Sequence, residues 1–529
     1  MLSASLTGRL GGLVMTGFPG VDIDDDTLSQ LKNLAGAILF KHNLRSAAQT
    51  RSLTDALREL HQEELGPLIA IDQEGGTVSR LADFGTTTPS AMALGAIADE
   101  TVTQAMYGII GQELAALGVS WDFAPVADVN SNPQNPVIGV RSFGSRPAEV
   151  AAHVNAAVRG LHGAGVAATA KHFPGHGDTF VDSHVGLPAL DHGIDRLREF
   201  ELVPFAAAIA GGVDAIMTAH ITLRAIDAAA VPATLSRALL TGVLREELGF
   251  DGVVCTDCME MDAIAATYSA EEAAVMAVAA GADLVLFSHG ADKARRAVDG
   301  LERALQDGRV TGEQVDRSLA RVDALRARCS AQQRLAGDRR AAHLDGLTAV
   351  GGAAHQSAAL EAARKAITLI RDPNGLLPLR FEAGDRVFVV RFCSGGHTPV
   401  EDKAARHQTV IGKALAAAGA RVQEQVRTFD PAGHEYKQLL MAAGSAQSII
   451  AITARVRQHP LQARAVGDLA LLGKPLIAIA AREPYDASML PGSATVVASY
   501  GDDPLALQAA SEALLGVIRT RGKLPVEVA

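Results

Sequence analysis

Three histidines, two aspartates and one lysine fall within the eighteen residues KHFPGHGDTFVDSHVGLP at 171–188. Pro174, Gly175 and Gly177 interrupt any regular helix there, so the segment reads as a loop leaving a strand. Titratable groups this dense on a loop point to chemistry more than to packing. Two chemistries are open. His172, His176, Asp178, Asp182 and His184 are all of metal-ligating type. A zincin HExxH, however, needs a helix to put both histidines on one face, and this segment lacks both the helix and the Glu. The other chemistry is proton transfer. Asp182 and His184 are two apart, so a turned or extended loop can aim both inward. The carboxylate then orients the ring and stabilises imidazolium, leaving the second ring nitrogen to exchange a proton.

A second constellation is FDGVVCTDCMEMDAI at 250–264, where an apolar run ends at Asp257. A carboxylate at a strand end is placed to act as nucleophile or base, with a helix cap as the plain alternative. Cys255 and Cys258 also make a CxxC, but no second cysteine pair accompanies it, which weakens a redox or metal reading. In IDQEGGTVSRL at 71–81, Asp72 terminates a run, Gly75-Gly76 permits close backbone approach and Arg80 can reach back. The Pro/Asn-rich SNPQNPVIGVRSFGSRP at 131–147 carries Arg141, a weak signal alone.

Elements must bring these groups together. Eight short apolar runs recur in the first 290 positions: 12–15, 36–40, 67–72, 119–128, 166–173, 214–220, 252–257 and 282–288. Helix-like stretches such as EEAAVMAVAAGA lie between them. Continuous apolar runs alternating with helices indicate buried parallel strands, and eight in succession predict a (β/α)8 TIM-type barrel. An open doubly wound sheet is the alternative, and no GxGxxG or P-loop follows a strand to favour it. In a barrel, strand C-termini converge on one face. The runs end at Lys41-His42-Asn43, Asp72, Asp128, Lys171-His172, His220, Asp257 and His289, more polar groups than packing requires. Further runs at 366–370, 387–390, 448–453, 475–480 and 494–499 predict a smaller α/β sandwich. The expected division is a barrel over 1–335, a linker over 336–356 and the sandwich over 357–529.

Composition narrows the function. With 48 basic and 59 acidic residues the net charge is -11, leaving no basic excess to neutralise nucleic-acid phosphates. Four cysteines in 529 residues are no disulfide framework. The N-terminal stretch lacks a clear cleavage site, and no run of about 18 apolar residues suggests a membrane span. The expectation is a soluble cytoplasmic protein.

Together these segments resemble glycoside hydrolase family 3, in its β-N-acetylglucosaminidase branch. KHFPGHGDTFVDSH ends in the branch's Asp-Ser-His acid/base loop. IDQEGG, DFAPVADVN, VIGVRSFG and FDGVVCTD follow the family's order, and AITLIRDPNGLLPL to GKLPV looks like its second domain. The resemblance implies a two-domain retaining β-N-acetylhexosaminidase that needs no cofactor or metal. It implies Asp257 as nucleophile, although Thr256 and Cys258 depart from the family's Ser-Asp-Asp. His184 would be the acid/base with Asp182 as partner, and Asp72, Arg80, Arg141, Lys171 and His172 would bind the sugar. The implied substrates are N-acetylglucosamine-containing glycosides or murein and chitin fragments, with no nucleic acid or membrane partner. Retaining chemistry fits a carboxylate nucleophile with a proton donor beside the leaving oxygen. A neutral histidine base does not repel an anionic acceptor, so phosphorolysis on the same intermediate is an alternative. A carbohydrate-binding protein without catalysis is another, disfavoured by the presence of Asp257, Asp182 and His184.

Overall fold

The computed structural model describes residues 4–59, 65–342, 346–393, 410–431 and 433–528. The eight apolar runs form β1 (Val14–Thr16), β2 (Gly36–Leu39), β3 (Leu68–Ile71), β4 (Trp121–Asp122), β5 (Ala167–Phe173), β6 (Ala215–Thr218), β7 (Val253–Cys258) and β8 (Leu284–Phe287). Each pairs in parallel with its neighbours in sequence, and β8 closes on β1 through Val14↔Val285 to make a barrel. These strands are mainly apolar up to their C-terminal ends because both faces are covered. Met15, Ile38, Trp121, Met217, Val253 and Leu286 belong to one buried cluster, and Val14, Leu39, Ile69 and Val254 to another that includes the surrounding helices. Val322, Leu325 and Cys329 of the helix Gly312–Ala342 join the first cluster.

Local signals set the helices in register. The EEAAVMAVAAGA stretch forms the helix Ala270–Ala280, and Ser269 Oγ accepts the Glu272 N–H at 3.3 Å. That contact satisfies one of the orphan donors of the first turn. Gly118, at φ +83°, closes the helix Glu100–Leu117 in the left-handed region that favours glycine.

The second unit contains β9 (Thr368–Arg371), β10 (Arg386–Cys393), β11 (Arg421–Thr428), β12 (Ser448–Thr453), β13 (Leu476–Ala480) and β14 (Thr495–Ala498). Their order is β9-β14-β13-β12-β10-β11, parallel except for the antiparallel β9. Five of these strands match the expected runs. The sixth, β11, is an edge strand whose sequence RVQEQVRT carries only two valines, so it offers no apolar run to find. Within 336–356 the preceding helix runs to Ala342, a 3-10 turn spans Gly346–Ala349, and α-helix resumes at Ala353. Buried Glu113 pins this connection, accepting from Thr86 N (2.9 Å) and Gly351 N (3.0 Å) and pairing with His355 (2.9 Å). The second unit also meets the barrel through Asn130 Nδ2 donating to Tyr485 Oη at 3.0 Å and Ser90 Oγ donating to the Tyr500 carbonyl at 2.7 Å. Among the described residues no helix is long and apolar enough to cross a membrane.

Candidate active site

One pocket opens at the C-terminal ends of the barrel strands. Its lining includes Asp72, Arg80, Arg141, Lys171, His172, His184 and Asp257, with Ile38, Phe123, Met217 and Leu286 as apolar wall. Seven of the eight residues that the family resemblance implies for catalysis and sugar binding therefore share one cavity, and the eighth, Asp182, stands directly behind His184. Strand ends deliver Asp72, Lys171, His172 and Asp257, whereas loops deliver Arg80, Arg141 and His184.

One side of the pocket is a largely buried charge network. Lys171 Nζ lies 2.7 Å from both Asp72 Oδ1 and Glu74 Oε1. Arg141 grips Glu74 in a two-pronged contact, Nε to Oε2 at 2.8 Å and Nη2 to Oε1 at 2.7 Å. The four formal charges cancel, which makes burial tolerable. Burial by itself would raise the Glu74 pKa, yet Arg141 and Lys171 outweigh it and hold the carboxyl well below the usual carboxylate range. Burial opposes the charge on Lys171 too, and Asp72 and Glu74 more than restore it. Glu74 was not singled out from the sequence. The IDQEGG stretch quoted for Asp72 contained it, but nothing local showed that its carboxylate would meet residues 67 and 97 positions downstream.

His172 is held from behind. Its Nδ1 lies 2.7 Å from Asp128 Oδ2, and Asp128 Oδ1 accepts the backbone N–H groups of His172 (3.2 Å) and His176 (2.7 Å). With Nδ1 donating, His172 Nε2 is left as an acceptor toward Arg141 Nη2 at 3.4 Å. Asp128 thus orients a ring in the pocket wall. His220 sits beside the end of β7, its Nε2 donating to the Cys258 carbonyl at 2.9 Å. Burial lowers its pKa, against the pull of Asp257.

Asp257 is no helix cap. It lies within β7, the next helix starts only at Asp262, and its Oδ1 accepts the Cys258 N–H at 2.7 Å. Burial pushes its pKa up, but His220, His172 and His184 together pull it below the ordinary value, so the carboxylate is ionised at neutral pH. An ionised, desolvated carboxylate facing a pocket is a competent nucleophile.

The Asp182–His184 pair is tightly made. Asp182 Oδ1 takes both the His184 N–H (2.9 Å) and Nδ1 (2.7 Å). Burial would raise the Asp182 pKa, and the hydrogen bonds from His184 reverse that. With Nδ1 committed, Nε2 is the nitrogen available to exchange a proton, and it has no protein partner among the described residues. Glu260 also lines the pocket, but its oxygens are taken by the His289 N–H (2.6 Å) and Lys293 Nζ (3.0 Å).

The metal reading of the loop finds little to use. His172 is committed to Asp128, His176 to Thr179 and Ser183, and His184 to Asp182. Among the described residues no three His, Cys, Asp or Glu groups gather with metal-ligating geometry. Cys255 and Cys258 are free thiols, and burial pushes Cys258 up to about 12, away from thiolate chemistry.

The model for the glycosyl hydrolase family 3 N-terminal domain matches residues 7–325. β-Hexosaminidase A of Pseudoalteromonas piscicida is 34% identical, over 94% of this chain and 89% of that protein. A β-N-acetylglucosaminidase/β-glucosidase of Cellulomonas fimi is 30% identical, over 87% of this chain and 83% of that protein. Among solved structures, a glycoside hydrolase family 3 β-N-acetylglucosaminidase from Paenibacillus sp. str. FPU-7 superposes with a TM-score of 0.91 at 38% identity, covering 100% of this chain and 99% of that one.

Proposed function

Because this chain belongs to glycoside hydrolase family 3, in the branch of the β-N-acetylhexosaminidases, we propose that it releases terminal N-acetylglucosamine from β-glycosides with retention of configuration. The observation that carries the mechanism is the pairing, at one pocket, of an ionised Asp257 with an imidazole whose Nδ1 is bound to Asp182. In this reading Asp257 attacks the anomeric carbon and forms a glycosyl ester. His184, protonated, passes its Nε2 proton to the leaving oxygen. The same nitrogen, now basic, takes a proton from water, and hydroxide displaces Asp257 to give the sugar with its original configuration. Asp182 fixes the ring and stabilises the imidazolium, as the carboxylate of a catalytic triad does. Asp72, Arg80, Arg141, Lys171 and His172 hold the sugar ring. Lys171 and Arg141 need no reorganisation on binding, because Glu74 and Asp128 have already positioned the wall.

Murein or chitin fragments are the substrates we favour, and four cysteines in 529 residues, too few for a disulfide framework, suit a cytoplasmic location. The test uses an aryl β-N-acetylglucosaminide with His184→Ala. An activated aryl group departs with little protonation, so the first step slows modestly. The second loses its base, and glycosyl-enzyme accumulates in a burst. Azide, which attacks without base help, restores turnover and yields the β-glycosyl azide. Absence of both burst and rescue would remove His184 from the mechanism. The same assay on the wild type with added phosphate reads the acceptor: free sugar marks hydrolysis, and sugar 1-phosphate marks phosphorolysis.

A further inference from the structure

His176 lines the pocket, yet the mechanism above gives it no task. Its surroundings do. The ring is 2% exposed, with Nδ1 2.8 Å from Thr179 Oγ1 and Nε2 3.0 Å from Ser183 Oγ. Thr179 Oγ1 also lies 3.1 Å from the His176 carbonyl, to which it donates. The threonine proton is thus used, so Nδ1 donates to Thr179 and Nε2 accepts from the Ser183 hydroxyl. Ser183 is the residue between Asp182 and His184.

The loop divides into a fixed base and a lightly held tip. In the base, Asn135 Nδ2 donates to the His176 carbonyl (2.8 Å) and Asn132 Nδ2 to the Thr179 carbonyl (3.0 Å). A Cβ on Gly177 would stand 1.8 Å from the Val129 carbonyl oxygen, so the backbone there is pressed against the strand-end loop. The tip is different. Phe180 and Val185 are 68% and 71% exposed, and Val181 and Leu187 also face outward, so its apolar side chains anchor nothing. Within the tip the dyad is self-contained: the Val185 and Gly186 N–H groups close a turn on the Asp182 carbonyl (3.0 and 3.1 Å). Asp182 and His184 therefore keep their mutual geometry wherever the tip goes. Ser183, 2% exposed, is the tip's buried anchor, held by its hydroxyl on His176 and by its carbonyl on the Ala263 N–H at 3.4 Å.

We infer that His176 is a positioning residue for the glycosidase reaction: by accepting the Ser183 hydroxyl it sets where the rigid Asp182–His184 turn stands relative to Asp257. Its burial lowers its pKa to about 4, so the ring stays neutral and the acceptor nitrogen is retained across the working pH range. The inference rests on His184 being the acid/base, and the experiment keeps the two separable.

The variants are His176→Leu, His176→Gln, Ser183→Ala and the double variant H176L/S183A, with His184→Ala as reference. His176→Leu and Ser183→Ala each remove the latch from one side. A catalytic group displaced by about 1 Å costs about a hundredfold in rate, and that loss of kcat is expected in both single variants. The double variant should lose no more than the worse single, because both delete one contact. His176→Gln, whose amide oxygen can accept the hydroxyl, should recover much of the loss. Azide should restore aryl-glycoside turnover in the latch variants as in His184→Ala. Inhibition by free N-acetylglucosamine should be unchanged throughout, since the sugar-holding groups are untouched. If losses multiply in the double variant, if Gln recovers nothing, or if sugar inhibition weakens in parallel with kcat, the latch is refuted. If His184→Ala itself loses no activity, the acid/base reading fails instead.

Discussion

Removing the Glu74 charge tests whether the network lining the pocket is held by electrostatics or merely by packing. Glu74→Gln keeps the shape and one acceptor oxygen but deletes the anion that Lys171 and Arg141 share. Asp72 then faces two buried cations alone, and one guanidinium prong loses its partner. Breaking a buried pair from one side costs about 3–5 kcal/mol, because the surviving charge is stranded. The sign with pH follows from the depressed Glu74 pKa. Its contribution is fully present above the ordinary carboxylate range and lost only as pH falls through the lower folded value. The deficit of the variant should therefore be constant from neutral pH down to mild acid. Trp121 is the chain's one tryptophan and is fully buried on β4, so its fluorescence during urea unfolding follows the barrel alone. The fitted barrel stability should fall by about the stated amount, and kcat/KM for the aryl substrate by about a hundredfold as Arg141 loses its fix. A barrel within about 0.5 kcal/mol of wild type, the range of a neutral surface change, together with unaltered kcat/KM would refute the reasoning.

Three further outcomes are expected. Asp257→Ala should abolish turnover while Trp121 fluorescence reports an intact barrel, and a slow-deacylating fluorosugar should label Asp257; label on Asp72 or Glu260 would displace it as nucleophile. Exhaustive chelation should leave the rate unchanged, and a loss restored by zinc would return the 171–188 loop to metal chemistry. In the second domain, burial raises Asp486 to about 7, while the Val456 N–H (2.9 Å) and Thr453 hydroxyl (2.8 Å) are its partners. A raised carboxyl pKa favours the fold below the unfolded value and loses that benefit as pH climbs through 7. Asp486→Asn should thus stabilise the domain at pH 8 by up to about 4 kcal/mol and flatten its pH profile; an equal or steeper decline with pH would contradict the assignment.

The sequence by itself determined the periodic part of the molecule. Parallel strands buried on both faces must be continuous apolar runs, so β1 to β8 declared themselves, and the polar groups that ended them could only be at the barrel mouth. The Asp182–His184 pair was legible for a similar reason: residues two apart in a glycine-bounded loop are neighbours whatever the fold. Edge strand β11 was not legible, because a strand with solvent on one side carries no such run. What only the tertiary structure decided was every partnership across the barrel. Glu74, Lys171 and Arg141 come from three different strand ends or loops, and no local pattern links them. Asp128 behind His172, and His176 beneath Ser183, likewise became assignable only once chain closure set distances. The sum of charges in a pocket, and hence which carboxylate stays ionised, is a property of that closure, because Coulomb energies depend on separation and burial rather than on order along the chain.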